Sequence, residues 1–163
     1  MDIVDPERRS RMMARLGPRN TRPELRVRRV AHQLGLRFRL HKKELPGCPD
    51  LVLNRFRTVI FVHGCFWHRH GGCRKCYTPK TRVAFWTSKF EGNVARDARD
   101  VALLRASGWR VITIWECETE DPRTILRRLN VVLRVKRRAE GDEQRGQTRK
   151  PAKRRLGKWP KTW

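Results

Sequence analysis

Three cysteines and a histidine lie within twelve residues of this sequence, in the pattern Cys65-x4-His70-x2-Cys73-x2-Cys76. Structural zinc is held by four thiolate or imidazole ligands arranged as a tetrahedron, so the pattern predicts such a site. The spacing alone allows two ligand sets. One set uses these four residues, and the other replaces Cys76 with Cys117, which would tie the cysteine-rich loop to a later strand.

Two side chains near this cluster are suited to phosphodiester hydrolysis. Asp50 follows a turn and begins a short apolar run, where a carboxylate can hold Mg²⁺, which prefers oxygen ligands and polarises phosphorus. His68 lies two residues before His70, and an imidazole that is not a zinc ligand can act as a general base near pH 7. Taken singly, such residues are more often structural, so the hypothesis depends on their neighbourhood.

Two aromatic pairs, Phe66-Trp67 and Phe85-Trp86, flank the cysteine-rich segment. Apolar side chains that enter between base steps unstack and kink a DNA duplex. Phe85 is predicted to lie in the core, as most aromatic residues do. Phe66 and Trp67 adjoin the loop cysteines, where little core is expected, and this position favours contact with a nucleic acid.

Helices and a small mixed sheet are predicted around these residues. Thr21 and Pro23 mark a helix start, and helical apolar spacing continues to Gly35. Strands are predicted over residues 37–41, 51–53, 58–62 and 109–115. These elements, with helices before and after them, predict an α/β or α+β domain.

A long helix is predicted over residues 82–107, between the third and fourth strands. Thr81 is expected to cap this helix, and Gly108 to end it. Its apolar face is predicted to carry Phe90, Val94, Val101 and Leu104. A last helix is predicted to begin at Asp121-Pro122.

The 163 residues include 40 Lys and Arg against 16 Asp and Glu, a net charge of +24. Residues 134–163 contain 12 basic and three acidic residues, which leaves +15 on residues 1–133. Such a body predicts a polyanionic partner, most commonly a nucleic acid. One domain is expected over residues 1–135, followed by a basic, disordered extension over residues 136–163. With no membrane-length apolar stretch and no visible signal segment, a cytoplasmic location is expected.

Three segments together carry a specific family resemblance: Pro46-Gly-Cys-Pro-Asp50, Val59-Ile-Phe-Val-His63-Gly-Cys65-Phe-Trp-His68-Arg-His70 and Trp109-Arg-Val-Ile-Thr-Ile-Trp115-Glu-Cys117. The sequence resembles the very short patch repair (Vsr-type) DNA mismatch endonucleases from about Arg8 to Leu133. The resemblance implies a restriction-endonuclease-like α/β core, with a small mixed sheet flanked by helices and a structural zinc site. It also implies an Mg²⁺-dependent nick 5′ of the thymine in a T:G mismatch, the lesion left when 5-methylcytosine deaminates.

The resemblance further implies roles for individual residues in the reaction. Asp50 resembles the Mg²⁺ ligand, and Val62 occupies the position whose backbone carbonyl completes the coordination. His68 resembles the general base. His63 and Glu24 resemble supporting active-site residues that position water and the hydrated metal.

Ligand and DNA positions follow from the same resemblance. The implied zinc ligands are Cys65, His70, Cys73 and Cys117, which leaves Cys76 as an additional thiol. The positions implied to contact DNA are the wedge Phe66, Trp67 and Trp86, the opposite-groove residue Met13, and the base-contacting Lys89 and Asn93. The implied partner is double-stranded DNA with a T:G mismatch, bound by a monomer in the bacterial nucleoid, with a functional link to a DNA cytosine-5 methyltransferase and to mismatch-repair proteins.

The sequence departs from the family pattern at Cys48, where Arg or Thr is more usual, and at Gly71-Gly72, where relatives are richer in His. Two other functions stay open. The first is a zinc-stabilised DNA-binding protein without catalysis, although such a protein needs neither Asp50 nor His68. The second is a restriction-type endonuclease on matched DNA, although the aromatic pair favours a distorted substrate.

Overall fold

The computed structural model describes residues 19–132 and residue 134. Met13 and the predicted basic extension over residues 136–163 lie outside the described residues. Within the described part of the chain, no helix is both long enough and apolar enough to cross a membrane.

Helix α1 (Arg22–Gln33) begins where the sequence predicts it. The side chain of Thr21 accepts a hydrogen bond from the backbone N–H of Glu24, and the Glu24 carboxylate accepts one from the backbone N–H of Thr21. This reciprocal capping box satisfies two N–H groups that a helix start otherwise leaves unpaired. Val27 and Ala31 lie four residues apart on one face and are fully buried against the sheet.

Four strands form one mixed sheet in the order β1 (Arg39–Leu40), β2 (Leu51–Leu53), β3 (Thr58–His63) and β4 (Arg110–Trp115). The first three strands are antiparallel, whereas β3 and β4 run parallel over six residue pairs. The carboxyl ends of β3 and β4 therefore lie side by side at one edge of the sheet. The expected small mixed sheet is confirmed, with β1 shorter than predicted.

Helix α2 (Val83–Ala106) makes the crossover between β3 and β4, as a parallel pair requires. The prediction that Thr81 caps it is wrong. The N-cap residue is Arg82, which has a φ of 52° and makes no capping hydrogen bond through its side chain.

The buried face of α2 also differs from the prediction. Phe90, Asn93, Asp100 and Leu104 are buried, whereas Val94 is 44% exposed. These buried positions are three, seven and four residues apart, which places them on one helix face. The apolar pattern misplaced this face because polar residues occupy two of its inward positions.

The sheet is covered on both faces. One apolar layer joins α1 and the last helix, α3 (residues 122–132), to alternate strand residues such as Leu51, Ile60 and Ile114. On the opposite face of the sheet, a second apolar layer joins Leu104 of α2 to the strand residues that alternate with those of the first layer, including Val59 and Phe61. This three-layer arrangement agrees with the expected restriction-endonuclease-like α/β fold.

Candidate active site and metal centre

Asp50 and Val62 meet near the carboxyl end of β3. Asp50 directly precedes β2, and its Oδ2 accepts a hydrogen bond of 2.7 Å from the backbone N–H of Val62. The N–H and C=O of one strand residue point to the same side, so the Val62 carbonyl also faces Asp50. A carboxylate and a carbonyl oxygen are ligands of the kind that Mg²⁺ takes. The chemistry of this pair therefore fits the predicted magnesium site.

The environment of Asp50 also favours a cation. Burial raises the pKa of its carboxyl group to about 6, although the hydrogen bond from Val62 acts in the opposite direction. Its Oδ1 lies 3.8 Å from Nδ1 of His41, beyond hydrogen-bond distance. A buried carboxylate with an incompletely paired oxygen is costly, and a bound divalent cation would offset that cost.

His63 and His68 stack face to face, with ring centroids 3.9 Å apart. Burial lowers the pKa of His63 to about 4, so this ring is neutral at physiological pH. Nδ1 of His68 lies 2.5 Å from Oδ2 of Asp97 on α2. A carboxylate can only accept there, so Nδ1 of His68 carries the proton and, in the neutral ring, Nε2 keeps the lone pair that a general base needs.

Sequence reasoning assigned no role to Asp97, which lies 29 residues from His68. The spacing along α2 gives a signal for Asp97 once the buried face of the helix is known. Position 97 falls between Asn93 and Asp100 at the spacing of the buried face, so a carboxylate there points toward the sheet rather than into solvent. An acid at an inward helical position is uncommon unless it has a partner.

Glu24 lies beside Asp50 and His41, with ligand atoms of all three within 4.8 Å of one another. The Glu24 carboxylate is already engaged. It accepts hydrogen bonds from two backbone N–H groups, from the Thr21 hydroxyl and from the Arg28 guanidinium. Four donors match the roughly four lone pairs of a carboxylate, so Glu24 anchors the start of α1 next to the site.

The thiol and imidazole cluster forms at the same edge of the sheet. Ligand atoms of Cys65, His70, Cys73 and Cys117 lie within 4.8 Å of one another. The Nδ1 atom of His70 is 3.6 Å from the sulfur of Cys65 and 3.4 Å from that of Cys117. Tetrahedral zinc with ordinary bond lengths separates sulfur and nitrogen ligands by about 3.6 Å. Of the two sets that spacing allowed, the structure assembles the one with Cys117.

The surroundings of this cluster fit a closed structural site. Burial raises the pKa of the Cys65 thiol to about 12, a cost that a coordinated cation would reverse by stabilising the thiolate. The ring of His70 stacks on Trp115 with centroids 4.3 Å apart, which fixes its orientation. Lys75 donates to Glu116 at 3.2 Å and so ties the cysteine-rich loop to the chain after β4.

The predicted wedge residues form one aromatic cluster. The ring of Phe66 lies 5.1 Å from Trp67, 5.5 Å from Trp86 and 5.1 Å from Phe90. Phe66, Trp67 and Trp86 are half-buried, so parts of their rings face solvent beside His68. Tyr77 extends the cluster, 5.0 Å from Phe66 and 60% exposed.

The exposed side of α2 continues this surface. Lys89 and Asn93 line a shallow depression of about 400 Å³ together with Arg96 and Phe85. Asn93 also donates through its side-chain amide to the carbonyl of Trp67 at 3.0 Å, which holds the wedge segment against the helix. The prediction that Phe85 lies in the core is wrong. The residue is 49% exposed because position 85 precedes the buried face that begins at Phe90.

Three known proteins are similar to most of this chain. "Type II nicking enzyme V.XorIIP" of Xanthomonas oryzae pv. oryzae is 50% identical over 132 residues, 81% of this chain and 96% of the relative. "Type II nicking enzyme V.NmeAIP" of Neisseria meningitidis serogroup A is 38% identical over 133 residues, 82% and 94% of the two chains. "DNA mismatch endonuclease Vsr" of Escherichia coli K12 is 44% identical over 116 residues, 71% and 74%.

A family model described as DNA mismatch endonuclease Vsr matches residues 1–75, which include Asp50 and the two stacked histidines. With these relatives, the sheet and its acidic, histidine-rich edge define a nuclease that acts on phosphodiester bonds. The chain belongs to the Vsr family of DNA endonucleases.

Proposed function

We propose that this protein is an Mg²⁺-dependent mismatch endonuclease that nicks DNA 5′ of the thymine in T:G pairs left by deamination of 5-methylcytosine. One observation carries the proposal: Asp50, Val62 and the hydrogen-bonded His68–Asp97 pair lie beside a half-buried aromatic cluster. The names of the relatives, nicking enzymes and a mismatch endonuclease, support single-strand cleavage at a mispair.

His68 is the proposed general base. Asp97 holds its proton on Nδ1 and so leaves Nε2 to take a proton from the attacking water. His63, neutral and stacked on His68, limits rotation of that ring and offers a nitrogen to the water or the phosphate. Asp50 and the Val62 carbonyl would hold Mg²⁺, which polarises the phosphorus and stabilises the leaving oxygen. Glu24 supports this arrangement by fixing the start of α1 beside Asp50.

The aromatic cluster is the proposed reader of the mismatch. A T:G wobble pair unstacks at lower cost than a matched pair, so insertion of Phe66, Trp67 and Trp86 favours it through deformation energy. Lys89 and Asn93 lie where DNA beside such a wedge would pass, and Met13 is proposed to enter from the opposite groove. The charge of +24 supplies affinity that falls steeply with salt.

Zinc is the proposed occupant of the cluster of Cys65, His70, Cys73 and Cys117. Tetrahedral ligation there would keep the loop that carries Phe66, Trp67 and His68 rigid, which a catalytic constellation needs. We further propose that the protein acts as a monomer on nucleoid DNA in the cytoplasm. Because the proposed substrate arises from 5-methylcytosine, the protein would be linked functionally to a DNA cytosine-5 methyltransferase and to mismatch-repair proteins.

The test is a nicking assay on end-labelled duplexes that carry T:G, T:A or C:G at one position in several flanking sequences. Wild type, Asp50→Asn and the matched control Glu44→Gln, which removes a charge from an exposed loop, are run with Mg²⁺ and with EDTA. We expect a 5′ nick at T:G alone, lost in Asp50→Asn and in EDTA and kept in Glu44→Gln.

Two other outcomes would each replace the proposal. Equal cleavage of matched DNA would indicate a restriction-type endonuclease. Binding without cleavage in every context, by zinc-loaded protein, would indicate a zinc-stabilised DNA-binding protein.

A further inference from the structure

Arg28 and His41 form a pair at the edge of the site for which neither the sequence analysis nor the family resemblance assigns a role. An Nη2 hydrogen of Arg28 points to Nε2 of His41 at 2.9 Å, and the second Nη2 hydrogen points to Glu24 Oε2 at 2.7 Å. The Arg28 side chain is only 11% exposed. Its Nε is buried without a hydrogen-bond partner among the described residues. A guanidinium so desolvated is costly, which favours a role beyond stability.

The strand pairing aims His41 at Asp50. Leu40 pairs with Leu51 in the antiparallel β1–β2 ladder, so the next residues outward, His41 and Asp50, lie opposite each other. His41 has a φ of 45°, a left-handed conformation that a non-glycine residue adopts only when its surroundings require it. The result places Nδ1 of His41 3.8 Å from Oδ1 of Asp50.

The hydrogen bond from Arg28 decides which nitrogen of His41 carries the proton. Arginine has no acceptor, so Nε2 of His41 must accept with its lone pair. The neutral ring then carries its proton on Nδ1, the atom that faces Asp50. A protonated Nδ1 cannot ligate a metal, which removes His41 from the ligand set although its ring lies among acidic neighbours.

We propose that Arg28 and His41 act as one positioning unit for Asp50. Arg28 locks the tautomer. The Nδ1–H of His41 then faces Oδ1 of Asp50 across 3.8 Å, an electrostatic contact longer than a hydrogen bond, while the Val62 N–H donates to Oδ2. The hydrogen bond at Oδ2 and the attraction at Oδ1 together favour the carboxylate orientation that faces the Val62 carbonyl. His41 is a positioning residue, and Asp50 remains the carboxylate ligand. This inference rests on the proposed function only in that Asp50 is taken to bind Mg²⁺.

The first measurement is ¹⁵N NMR of imidazole-labelled protein without metal at pH 7.5, with the His41 signals assigned from their loss in His41→Asn. We expect a protonated Nδ1 and an unprotonated Nε2, and a mixture of tautomers in Arg28→Met. Mg²⁺ titration should leave Nδ1 protonated. An unprotonated Nδ1 in the free protein, or loss of its proton when Mg²⁺ binds, would overturn the proposal.

The second measurement is the Mg²⁺ concentration that gives half of the maximal NMR signal change in a titration, and the concentration that gives half of the maximal nicking rate. We expect about a 10-fold rise in His41→Ala, the size typical of groups that orient a metal ligand. His41→Asn should stay within about 3-fold of wild type, because its amide N–H falls where Nδ1 lies and Asn tolerates the left-handed conformation. Equal losses in both variants would contradict the donor role.

The third comparison tests whether Arg28 acts through His41. Arg28→Met should raise the half-maximal Mg²⁺ concentration as His41→Ala does, and the double variant should be no worse than either. The matched control is Arg29→Met, which removes the same charge from an exposed neighbour on α1. Additive losses would show two independent effects. If wild type nicks no duplex, the proposed function fails, while the tautomer and the NMR titration still test the positioning unit.

Discussion

His68 and His70 are two residues apart in one loop, yet they serve two different regions of the molecule. His70 turns Nδ1 toward the sulfurs of Cys65 and Cys117 and stacks on Trp115. His68 turns Nδ1 toward Asp97 and stacks on His63. Two nearby side chains of one loop thus contact different groups, His70 a set of thiols and His68 a set of oxygen and nitrogen groups.

The difference between the two regions lies in what is left unpaired. In the thiol region each ligand atom points inward at the others, which suits a tetrahedral cation with no open position. In the carboxylate region, Oδ1 of Asp50 and Nε2 of His68 keep lone pairs for groups from outside. A closed set gives rigidity, whereas an open set can do chemistry. Residues of the two regions alternate along one loop, so a cation held in the thiol region can keep the groups of the carboxylate region in place.

The largest expected contrast comes from removing each imidazole in turn. His68→Ala should lower nicking by about 10²- to 10⁴-fold, the usual contribution of a general base, with little change in thermal stability. His70→Ala should lose zinc and lower the unfolding temperature together with activity, because metal binding contributes folding free energy. Zinc content, melting temperature and single-turnover nicking separate the two effects.

Two results would break this contrast. Loss of zinc from His68→Ala would show that the His68 ring contributes to the thiol region. Full stability and full zinc content in His70→Ala would show that the thiols hold their cation without an imidazole.

A smaller loss is expected when His68, the proposed general base, keeps its ring but loses the Asp97 carboxylate that orients it. Asp97→Asn should lower nicking by about 10- to 100-fold, since an amide can donate to Nδ1 and favour the tautomer in which Nε2 is protonated. Glu91→Gln, on an exposed position of the same helix, is the matched control. A wild-type rate in Asp97→Asn would mean that stacking on His63 orients His68 sufficiently.

Removal of the Asp50 carboxylate is expected to raise the stability of the protein although it lowers activity. Its pKa is about 6 in the folded protein against 3.8 as the ordinary value, so the folded state resists its ionisation. Stability from this group is present below pH 4 and is lost as pH rises toward 6. Without Mg²⁺, Asp50→Asn should therefore stabilise the protein by up to about 3 kcal/mol at pH 7.5, and by about half as much at pH 5.

Urea unfolding of both proteins in EDTA-treated buffer, at the two pH values, measures this difference. Saturating Mg²⁺ should cancel it by stabilising wild type alone. A variant that is less stable than wild type at pH 7.5 would show that the carboxylate is well solvated or paired.

Much of the carboxylate region could be predicted from sequence because its residues are close along the chain. The turn before Asp50 and the segment from His63 to His70 carry recognisable strings, and both lie at strand ends. The place of Cys117 in the thiol cluster could be predicted only from the family resemblance or from the parallel pairing of β3 with β4, because spacing alone left Cys76 equally suitable.

The missed residues share a physical reason. Asp97 lies on a helix face whose inward positions include Asn93 and Asp100, so hydrophobic spacing conceals that face. His41 depends on the register of a strand of two residues and on a left-handed φ, neither of which a side-chain pattern encodes. Arg28 lies in an ordinary helical sequence, and only the fold buries it.

The smallest expected effect tests whether the thiol region is closed. Cys76 is half-buried and lies outside the group of four, although its backbone N–H donates to the Cys73 carbonyl at 2.9 Å. Cys76→Ser should keep full zinc content and change stability by less than about 0.5 kcal/mol, as a substitution outside a ligand set does. Cys117→Ser, the same chemical change, should lose zinc. If Cys76→Ser lost zinc instead, the ligand set would be the one confined to the loop. The loop would then be tied to the chain after β4 by the Lys75 ion pairs with Glu116 and Glu120 and by the hydrogen bond from the Cys65 N–H to Glu116.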